Sequence, residues 1–392
     1  MIIQIPASKS ISNRLLLLQY LYPQIKIKHL STAKDTQVLK QALQQLIAGE
    51  NQINIGHAGT SMRFLTALLS MQVGKTFVLD GSARMRQRPI QILVDALRQL
   101  GADIQYLENE GYPPLKIRGK KLSGKKLNIP ADVSSQYISA LLLIAPALSG
   151  GLDLHLTGKQ VSTPYIDMTI KILQSIGVEV YQKKDKIVVL PLSKTADKEF
   201  YIESDWSSAS YFYSAVAVLK ISELQLESFF SGSLQGDSQL VDLYEKFGVE
   251  TVFNNNLISL KYRQNFTLPQ YLEFNLIRQP DLAQTIAVTC LALGIKCKIT
   301  GLQTLRIKET DRLFALQQEM QKLGAGVRIT DTSFELLHPV ITNPNVSIAT
   351  YNDHRMAMSF AVLQKIYSEI RIENKDVVVK SFPGFWNKFQ FV

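Results

Sequence analysis

Residues 306–312 (RIKETDR) place basic and acidic side chains close together directly before an apolar helical pattern that starts near Leu313. Such a cluster can bind an anion through its basic groups while a carboxylate such as that of Glu309 transfers a proton. Helix capping and surface ion pairs would give the same pattern. The segment is therefore a candidate for acid–base chemistry on an anionic ligand.

A second candidate anion site lies at residues 80–89 (DGSARMRQRP), where Arg84, Arg86 and Arg88 fall within five residues. The guanidinium fork matches the geometry of carboxylates and phosphates. A solvated surface turn is the ordinary alternative for such a run. Taken alone, this segment indicates anion binding without identifying the anion.

Several helix patterns begin directly after a strand or loop, at residues 8–14 (SKSISNR), 56–63 (GHAGTSMR), 134–136 (SSQ) and 204–210 (SDWSSAS). Ser and Thr at these positions are ordinary N-caps, but free amides and the helix dipole also make a helix N-terminus an anion site. Lys9, Arg14 and Arg63 lie within a turn of such ends and favour anion binding. The glycine loop matches neither the P-loop nor the dinucleotide-binding fingerprint, and Gly59 would let a ligand approach the backbone closely.

The elements that must position these segments follow a repeated pattern of amphipathic helix, glycine and short alternating strand. The four clearest copies have their glycines at Gly101, Gly177, Gly248 and Gly324, which lie 76, 71 and 76 residues apart. Glycine is typical of the position after a helix, where φ is positive. Two weaker copies fit near the ends of the chain. An internal repeat of helices and strands predicts an α/β fold.

Composition limits the classes of function. The 392 residues carry a net charge of +10, with a pI near 9.3, which favours anionic ligands. The only cysteines, Cys290 and Cys297, exclude a disulfide framework, and no Cys/His cluster predicts a metal site. The start of the chain lacks a secretory signal pattern, and no apolar run approaches the roughly 18 residues of a membrane span. We expect a cytoplasmic protein with an anionic small-molecule ligand, no metal and no membrane segment.

Ten segments occur in a fixed order along nearly the whole chain: SKSISNR (8–14), GHAGTSMR (56–63), RMRQRP (84–89), SSQYISALL (134–142), STPY (162–165), SDWSSASYF (204–212), PD (280–281), RIKETDR (306–312), YNDHRMAM (351–358) and KSFPGF (380–385). This set resembles the 5-enolpyruvylshikimate-3-phosphate (EPSP) synthases. The resemblance implies an α/β fold of two similar domains, each an inside-out barrel of three βαβαββ units, with the active site in the interdomain cleft. The first domain would comprise residues 9–203 and mainly bind shikimate 3-phosphate. The second, residues 1–8 and 204–392, would mainly bind phosphoenolpyruvate and carry the acid–base residues.

The resemblance also implies a reaction. The enolpyruvyl group of phosphoenolpyruvate is transferred to the 5-hydroxyl of shikimate 3-phosphate, and phosphate is released through a tetrahedral intermediate, in the sixth step of the shikimate pathway and without a cofactor. Addition protonates the methylene carbon, and elimination removes a methyl proton. The catalytic positions match Asp281, Glu309, Lys308, Lys9 and Lys380. Asp281 would orient and deprotonate the hydroxyl, Glu309 would handle the methylene proton, and Lys308 and Lys380 could share these roles.

The family's substrate contacts fall in both halves of the chain. Contacts to phosphoenolpyruvate match Lys9, Gly59, Arg84, Arg312, Arg355 and Lys380. Contacts to shikimate 3-phosphate match Ser10, Arg14, Ser134, Ser135, Ser162 and Tyr165. Gln136 would lie beside the reacting carbons, and Asp281, Thr304 and Lys308 complete the substrate-binding set. We expect a monomer that closes on shikimate 3-phosphate and binds no nucleic acid.

Three positions depart from the family pattern. His57 stands where Asn is usual, Phe64 where Pro is usual, and Thr304 where Asn often contacts the shikimate side. Gly59 retains the space that glyphosate needs, whereas Phe64 is expected to perturb its helix and weaken inhibition. The N-terminal segment is shorter than usual, so one strand of the second domain is expected to be missing.

Three alternatives stay open from the sequence. The first alternative is the sister enolpyruvyl transferase that acts on UDP-N-acetylglucosamine, which usually carries a reactive cysteine in its first half. Both cysteines here lie in apolar or strand-like segments of the second half and are expected to be buried and inert. A basic repeat protein that binds RNA would suit the net charge, but no aromatic stacking platform is visible. A relative that has lost activity is the third alternative.

Overall fold

The computed structural model describes residues 2–392, which form twenty β-strands and twelve α-helices. The strands are β1 (Ile2–Gln4), β2 (Ile25–Lys28), β3 (Gln52–Asn54), β4 (Thr76–Asp80), β5 (Asp103–Tyr106), β6 (Leu115–Arg118), β7 (Lys126–Pro130), β8 (Leu152–Thr157), β9 (Val180–Lys183), β10 (Lys186–Val189), β11 (Lys198–Tyr201), β12 (Leu224–Glu227), β13 (Val249–Asn254), β14 (Leu257–Tyr262), β15 (Tyr271–Asn275), β16 (Lys296–Thr300), β17 (Gly326–Ile329), β18 (Ser333–His338), β19 (Ser347–Ile348) and β20 (Arg371–Ile372). The helices are α1 (Lys9–Leu21), α2 (Lys34–Ile47), α3 (Gly59–Ser70), α4 (Gln91–Gln99), α5 (Ser135–Ile144), α6 (Thr163–Ser175), α7 (Trp206–Leu219), α8 (Leu240–Glu245), α9 (Ala283–Ala292), α10 (Arg312–Lys322), α11 (His354–Phe360) and α12 (Phe385–Phe389).

The chain divides into two compact units. The N-terminal unit comprises Lys9–Ser31 and Asp35–Ile202, and the C-terminal unit comprises residues 2–8, Thr32–Lys34 and Glu203–Val392. The boundary predicted from the sequence lies one residue later, after residue 203, and does not separate Thr32–Lys34. The function of each half stays a prediction.

The repeat predicted from the sequence corresponds to a βαβαββ unit. In the N-terminal unit the strand order is β3-β4-β6-β5, with β3 and β4 parallel and β6 antiparallel to both its neighbours. Helix α3 connects β3 to β4, and α4 connects β4 to β5. The sheets β7-β8-β10-β9 and β15-β16-β18-β17 repeat this order, and β1 supplies the parallel edge strand of β1-β12-β14-β13. The predicted α/β class with two similar halves is confirmed.

The third sheet of each unit is smaller than a complete βαβαββ repeat. It contains two parallel strands, β2 with β11 in the N-terminal unit and β19 with β20 in the C-terminal unit. No hairpin completes either of these sheets within residues 2–392. In the N-terminal unit, the chain after α2 passes directly into β3 of the next sheet. In the C-terminal unit, the chain after β20 forms a 3-10 helix and α12. Strand β1 belongs to a four-stranded sheet. The expected loss of one strand from the second domain stays a prediction.

The core of each unit lies around helices that are buried on nearly all sides. Nearly every residue of α3, α5, α7, α9 and α11 is buried, as expected for helices that are apolar around their whole circumference. Helix α3 packs against α5, and α9 packs against both α7 and α11, with the sheets outside them. The amphipathic helices α2, α4 and α10 keep an exposed face.

The glycines that mark the repeat act as predicted. Gly101, Gly177, Gly248 and Gly324 follow α4, α6, α8 and α10 with φ between 81° and 102°, a conformation that costs other residues more. Each turn directs the chain into the next strand. Within residues 2–392, no helix is both long enough and apolar enough to cross a membrane.

Candidate active site

Arg312 lies at the centre of a buried charge cluster in the C-terminal unit. Its guanidinium donates from Nε to Asp353 Oδ2 at 2.7 Å, from Nη1 to Asp281 Oδ1 at 2.9 Å and from Nη2 to Glu309 Oε2 at 2.8 Å. Arg312 is 2% exposed, and Asp353 is fully buried. Burial alone would lower the pKa of Arg312, but the three carboxylates outweigh it and raise that pKa above its ordinary value. Arg312 is therefore a permanent cation that holds Asp281 and Glu309 in place.

These side chains meet because each lies in a loop or first helical turn beyond the carboxyl end of a strand. Asp281 lies in the 3-10 helix Pro280–Leu282 between β15 and α9, and Glu309 shortly precedes α10. Asp353 is the N-cap of α11 and accepts the amide hydrogen of Arg355 at 2.8 Å. In α/β sheets, ligands bind at this end of the strands.

Three further cations surround the two carboxylates. Arg355 Nη2 donates to Asp281 Oδ2 at 2.9 Å, Lys308 Nζ lies 3.5 Å from Asp281 Oδ1, and Lys380 Nζ donates to Glu309 Oε1 at 2.8 Å. Burial would raise the pKa of Asp281, but Arg355, Lys308 and Arg312 together hold it well below its usual range. Asp281 is therefore ionised at neutral pH.

Asp237 is a buried carboxyl group next to this cluster. It lies in the 3-10 helix Gly236–Gln239, is 5% exposed and accepts a hydrogen bond from Ser207 Oγ in the first turn of α7. Burial and the negative charge of Asp281 raise the pKa of Asp237 to about 7. Asp237 therefore gains or loses a proton near neutral pH, unlike Asp281.

Arg14 lies at the centre of a second polar cluster, in the N-terminal unit. Nε donates to Thr169 Oγ1 at 2.7 Å, Nη1 to the Ser10 carbonyl at 2.8 Å, and Nη2 to Ser139 Oγ and the Tyr165 carbonyl, both at 3.0 Å. Burial lowers the pKa of Arg14 to about 10, so the group remains charged at neutral pH. These bonds join α1, α5 and α6. Four of the five guanidinium hydrogens thus hold protein segments together, and these bonds leave one Nη1 hydrogen unused.

Other first turns of the N-terminal unit also meet. Lys9 at the start of α1 lies 3.2 Å from Asp35 Oδ2 at the start of α2. Ser134 caps α5 by accepting the Gln136 amide hydrogen at 3.3 Å, and Gln136 Nε2 donates to Thr60 Oγ1 in α3 at 3.4 Å. The helix starts that the sequence indicated as anion sites are therefore adjacent within this unit.

The remaining predicted residues of the N-terminal unit lie at or near these helix starts. Ser135 is the buried first residue of α5, and Gly59 is the first residue of α3. Ser162 occupies the N-cap position of α6 with a left-handed φ of 52° and makes no capping bond. Arg84 lies on the loop after β4, where Nη1 donates to Gln87 Oε1 at 3.2 Å.

Comparisons with known proteins extend over the whole chain. The family model described as EPSP synthase (3-phosphoshikimate 1-carboxyvinyltransferase) matches residues 23–389. The chain belongs to the EPSP synthase family. Relatives named 3-phosphoshikimate 1-carboxyvinyltransferase include one from Bacteroides fragilis, 44% identical over 98% of this chain and 93% of the relative, and one from Photobacterium damsela subsp. piscicida, 37% identical over 99% and 96%. An EPSP synthase structure from Acinetobacter baumannii has a TM-score of 0.76 at 21% identity, covering 100% of this chain and 95% of that one, and therefore supports the fold.

Sequence reasoning assigned no role to three carboxylates of this EPSP synthase family member. Asp353 could have been found, because an Asp directly before a helix pattern is a typical N-cap. Asp35 and Asp237 had no local signal, since their partners Lys9 and Ser207 are 26 and 30 residues away. Within residues 2–392, no group of three His, Cys, Asp or Glu side chains could hold a metal ion.

The three departures from the EPSP synthase pattern have definite positions. Phe64 is buried within α3, which continues unbroken to Ser70, so the helix is regular at this residue. The centre of its ring lies 5.6 Å from Arg14 Cζ. His57 Nδ1 lies 2.8 Å from Ser82 Oγ on an exposed loop. Thr304 is buried, and its Oγ1 has no hydrogen-bond partner within residues 2–392. The expected weakening of glyphosate inhibition stays a prediction.

Proposed function

We propose that this chain transfers the enolpyruvyl group of phosphoenolpyruvate to the 5-hydroxyl of shikimate 3-phosphate and releases phosphate. One observation carries the proposal beyond family membership. Asp281 and Glu309 share Arg312 but have separate lysine partners, Lys308 at 3.5 Å and Lys380 at 2.8 Å. The reaction needs proton transfers at two different atoms, the 5-hydroxyl oxygen and the methylene carbon, and this arrangement supplies two separate carboxylate–lysine pairs.

Asp281 orients the 5-hydroxyl and accepts its proton as the oxygen attacks C2 of phosphoenolpyruvate. A carboxylate whose pKa lies well below the usual range is a weak base, so the role requires that its pKa rise when substrate binds. Anionic groups of the substrates supply that change when they draw Arg355 and Lys308 away from Asp281. In the free protein the Asp281 carboxylate is thus ionised, and it becomes more basic only when the anionic substrates are bound.

Glu309 and Lys380 act at the methylene carbon. Addition delivers a proton to that carbon, and elimination removes a proton from the resulting methyl group as phosphate leaves. The bond of 2.8 Å between Lys380 Nζ and Glu309 Oε1 supports this pairing, since a proton can pass between neighbouring groups without bulk water. Arg312 and Arg355 then offset the charge that develops on the carboxylate and phosphate groups of the intermediate.

The N-terminal unit contributes anion recognition. We assign shikimate 3-phosphate to its helix starts, through Ser10, Arg14, Ser134, Ser135, Ser162 and Tyr165, with Gln136 beside the reacting carbons. Lys9, Gly59 and Arg84 would contact phosphoenolpyruvate, and Thr304 and Lys308 of the C-terminal unit would contact the shikimate side. One chain supplies every residue used, which supports a monomer, and the free thiols of Cys290 and Cys297 suit the cytoplasm.

Phosphate release by the purified protein tests the proposal. We expect release from phosphoenolpyruvate with shikimate 3-phosphate and none with UDP-N-acetylglucosamine. Asp281→Asn should lower the rate by about 100-fold or more. The matched control Asp331→Asn changes an exposed carboxylate that pairs only with Arg306 and should have no effect. Release with the sugar nucleotide instead, or an unchanged rate in Asp281→Asn, would overturn the assignment.

A further inference from the structure

Glu319 is a fully buried carboxylate in α10 that the proposed proton transfers do not use. Its Oε1 accepts a hydrogen bond from Tyr351 Oη at 2.7 Å. Its Oε2 accepts from the Ala349 amide at 3.0 Å and from Lys322 Nζ at 2.7 Å. A buried carboxylate is stable only with such partners. Because Ala349 and Tyr351 both belong to the segment that leads into α11, Glu319 ties α10 to that segment.

Glu319 lies on the same face of α10 as Arg312. The two residues are seven positions apart, which is about two helical turns. Arg312 Nε donates to Asp353 at 2.7 Å, and Glu319 accepts from Tyr351, two residues earlier in the chain. One face of α10 therefore holds the segment 349–353 at two points, and Asp353 is the point that belongs to the charge cluster.

The segment between these two points is a turn with an unfavourable backbone. It covers residues 350–353 and is closed by a hydrogen bond of 2.8 Å from the Asp353 amide to the Thr350 carbonyl. Both central residues have positive φ, 52° at Tyr351 and 56° at Asn352. Asn adopts this conformation readily, whereas a bulky residue such as Tyr does so only when its surroundings hold it there. The hydrogen bond from Tyr351 to Glu319 supplies such a contact.

The hydroxyl of Tyr351 keeps its proton under all conditions in which the protein is folded near neutral pH. Burial and the hydrogen bond to Glu319 both raise the pKa of Tyr351. The hydroxyl therefore remains a donor and the Glu319 carboxylate remains its acceptor.

The turn sets where the start of α11 lies. Asp353 is the N-cap of this helix and accepts the Arg355 amide hydrogen at 2.8 Å. Arg355 Nη2 donates to Asp281 Oδ2 at 2.9 Å, and its Nη1 donates to the Asp281 carbonyl at 3.3 Å. A change of backbone conformation at the turn would thus move Asp353 and Arg355 together. The ion pairs around Asp281 depend on the conformation of this turn.

We propose that Glu319 is a positioning residue of the candidate active site, which acts through Tyr351 on the start of α11. It holds the turn at 350–353 in the conformation that places Asp353 against Arg312. The same conformation places Arg355 against Asp281. The inference rests on the proposed function for its kinetic test, whereas the placement of Asp353 can be tested without turnover.

Tyr351→Phe removes the donor to Glu319 and keeps the aromatic ring. We expect kcat/KM for phosphoenolpyruvate to fall by about tenfold or more, because a shift of about 1 Å in a positioned group is enough for such a loss. The KM for shikimate 3-phosphate should stay within about twofold. The matched control Tyr213→Phe removes another buried hydrogen bond, 2.9 Å to Thr251 Oγ1 between α7 and β13, and should leave the kinetic constants near those of wild type. Wild-type kinetics in Tyr351→Phe, or a comparable loss in Tyr213→Phe, would overturn the proposal.

A double variant tests whether Tyr351 acts through Glu319. Glu319→Met removes the acceptor and fills a similar volume. In this background, Tyr351→Phe should lower kcat/KM for phosphoenolpyruvate clearly less than it does in wild type, since the hydrogen bond is already lost. Equal reductions in the two backgrounds would show that the residues act separately and would refute the proposal.

Urea unfolding tests the placement of Asp353 without any need for activity. If Tyr351 holds Asp353 against Arg312, the combined loss of stability in Tyr351→Phe with Asp353→Asn should be clearly smaller than the sum of the two single losses. Tyr213→Phe with Asp353→Asn should give additive losses. Additive losses for Tyr351→Phe as well would contradict the proposal. This comparison also decides if Glu319→Met fails to fold. If wild type shows no turnover, the proposed function fails, and the unfolding result still decides the role of Glu319.

Discussion

Replacing Asp237 by Asn should make the protein more stable, and increasingly so as the pH rises. Asp237 is buried next to Asp281, and its pKa in the folded protein is raised to about 7 from an ordinary value of 3.8. Between these two values the folded protein keeps a proton that the unfolded chain has lost. The free energy of unfolding contributed by this group therefore falls as the pH rises from about 4 to about 7, and is constant above that range.

The magnitude follows from the difference between the two pKa values. At 1.36 kcal/mol per unit, a difference of about three units corresponds to about 4 kcal/mol of destabilisation above pH 8. Part of that cost, about 2 kcal/mol, is already present at pH 5, because Asp in the unfolded chain is mostly ionised there. The stability difference between Asp237→Asn and wild type should thus grow by about 2 kcal/mol between pH 5 and pH 8.

Urea unfolding of both proteins at pH 5, 6, 7 and 8 measures this growth. Any fixed effect of the amide cancels when differences are compared across pH. Asp242→Asn, which removes an exposed carboxylate of the following helix α8, serves as the control. A flat difference for Asp237→Asn would show that its pKa is not raised in the folded protein. A difference that shrinks with pH would show that the carboxylate is stabilised by cations instead.

Two further outcomes follow from the buried polar contacts. Arg312→Met should lower the free energy of unfolding by about 3–5 kcal/mol in urea titrations, because it leaves the carboxylates of Asp281, Glu309 and Asp353 without their shared cation. The control Arg86→Gln should leave the urea midpoint near that of wild type. Equal midpoints for wild type and both variants would show that Arg312 does not stabilise the cluster. Thr285 Oγ1 lies 3.1 Å from Ser210 Oγ and 3.2 Å from Ser359 Oγ, linking α9 to α7 and α11. Thr285→Val should therefore lower the free energy of unfolding by about 1–3 kcal/mol in the same assay, and Thr285→Ser should lower it clearly less. Equal losses of stability in the two variants would attribute the effect to the methyl group.

The parts of the fold that were predictable from the sequence have local causes. Gly101 and Gly324 end their helices because the next backbone conformation has positive φ, and that requirement is visible in a few neighbouring residues. The capping of α5 by Ser134 is equally local. The pairing of β1 with β12 joins residues more than two hundred positions apart, and no short segment encodes it.

The same distinction applies to the candidate site. Asp281, Glu309 and Arg312 stood out because their segments have a recognisable order and composition. Asp237 did not, because what distinguishes it is burial, and burial depends on how distant elements pack. The effect of Phe64 was expected to be a perturbed helix, yet a large apolar side chain fits the buried interior of α3 without breaking it.

The most direct test of the central claim follows the methylene carbon during turnover in D₂O, by proton NMR of the product formed from phosphoenolpyruvate and shikimate 3-phosphate. Addition and elimination pass through a methyl group, so we expect deuterium in the vinyl group of the product. Glu309→Gln should slow its appearance strongly, whereas the exposed control Glu245→Gln should not. A vinyl product without deuterium would contradict the addition–elimination mechanism. The absence of any vinyl product would contradict the proposed transfer itself.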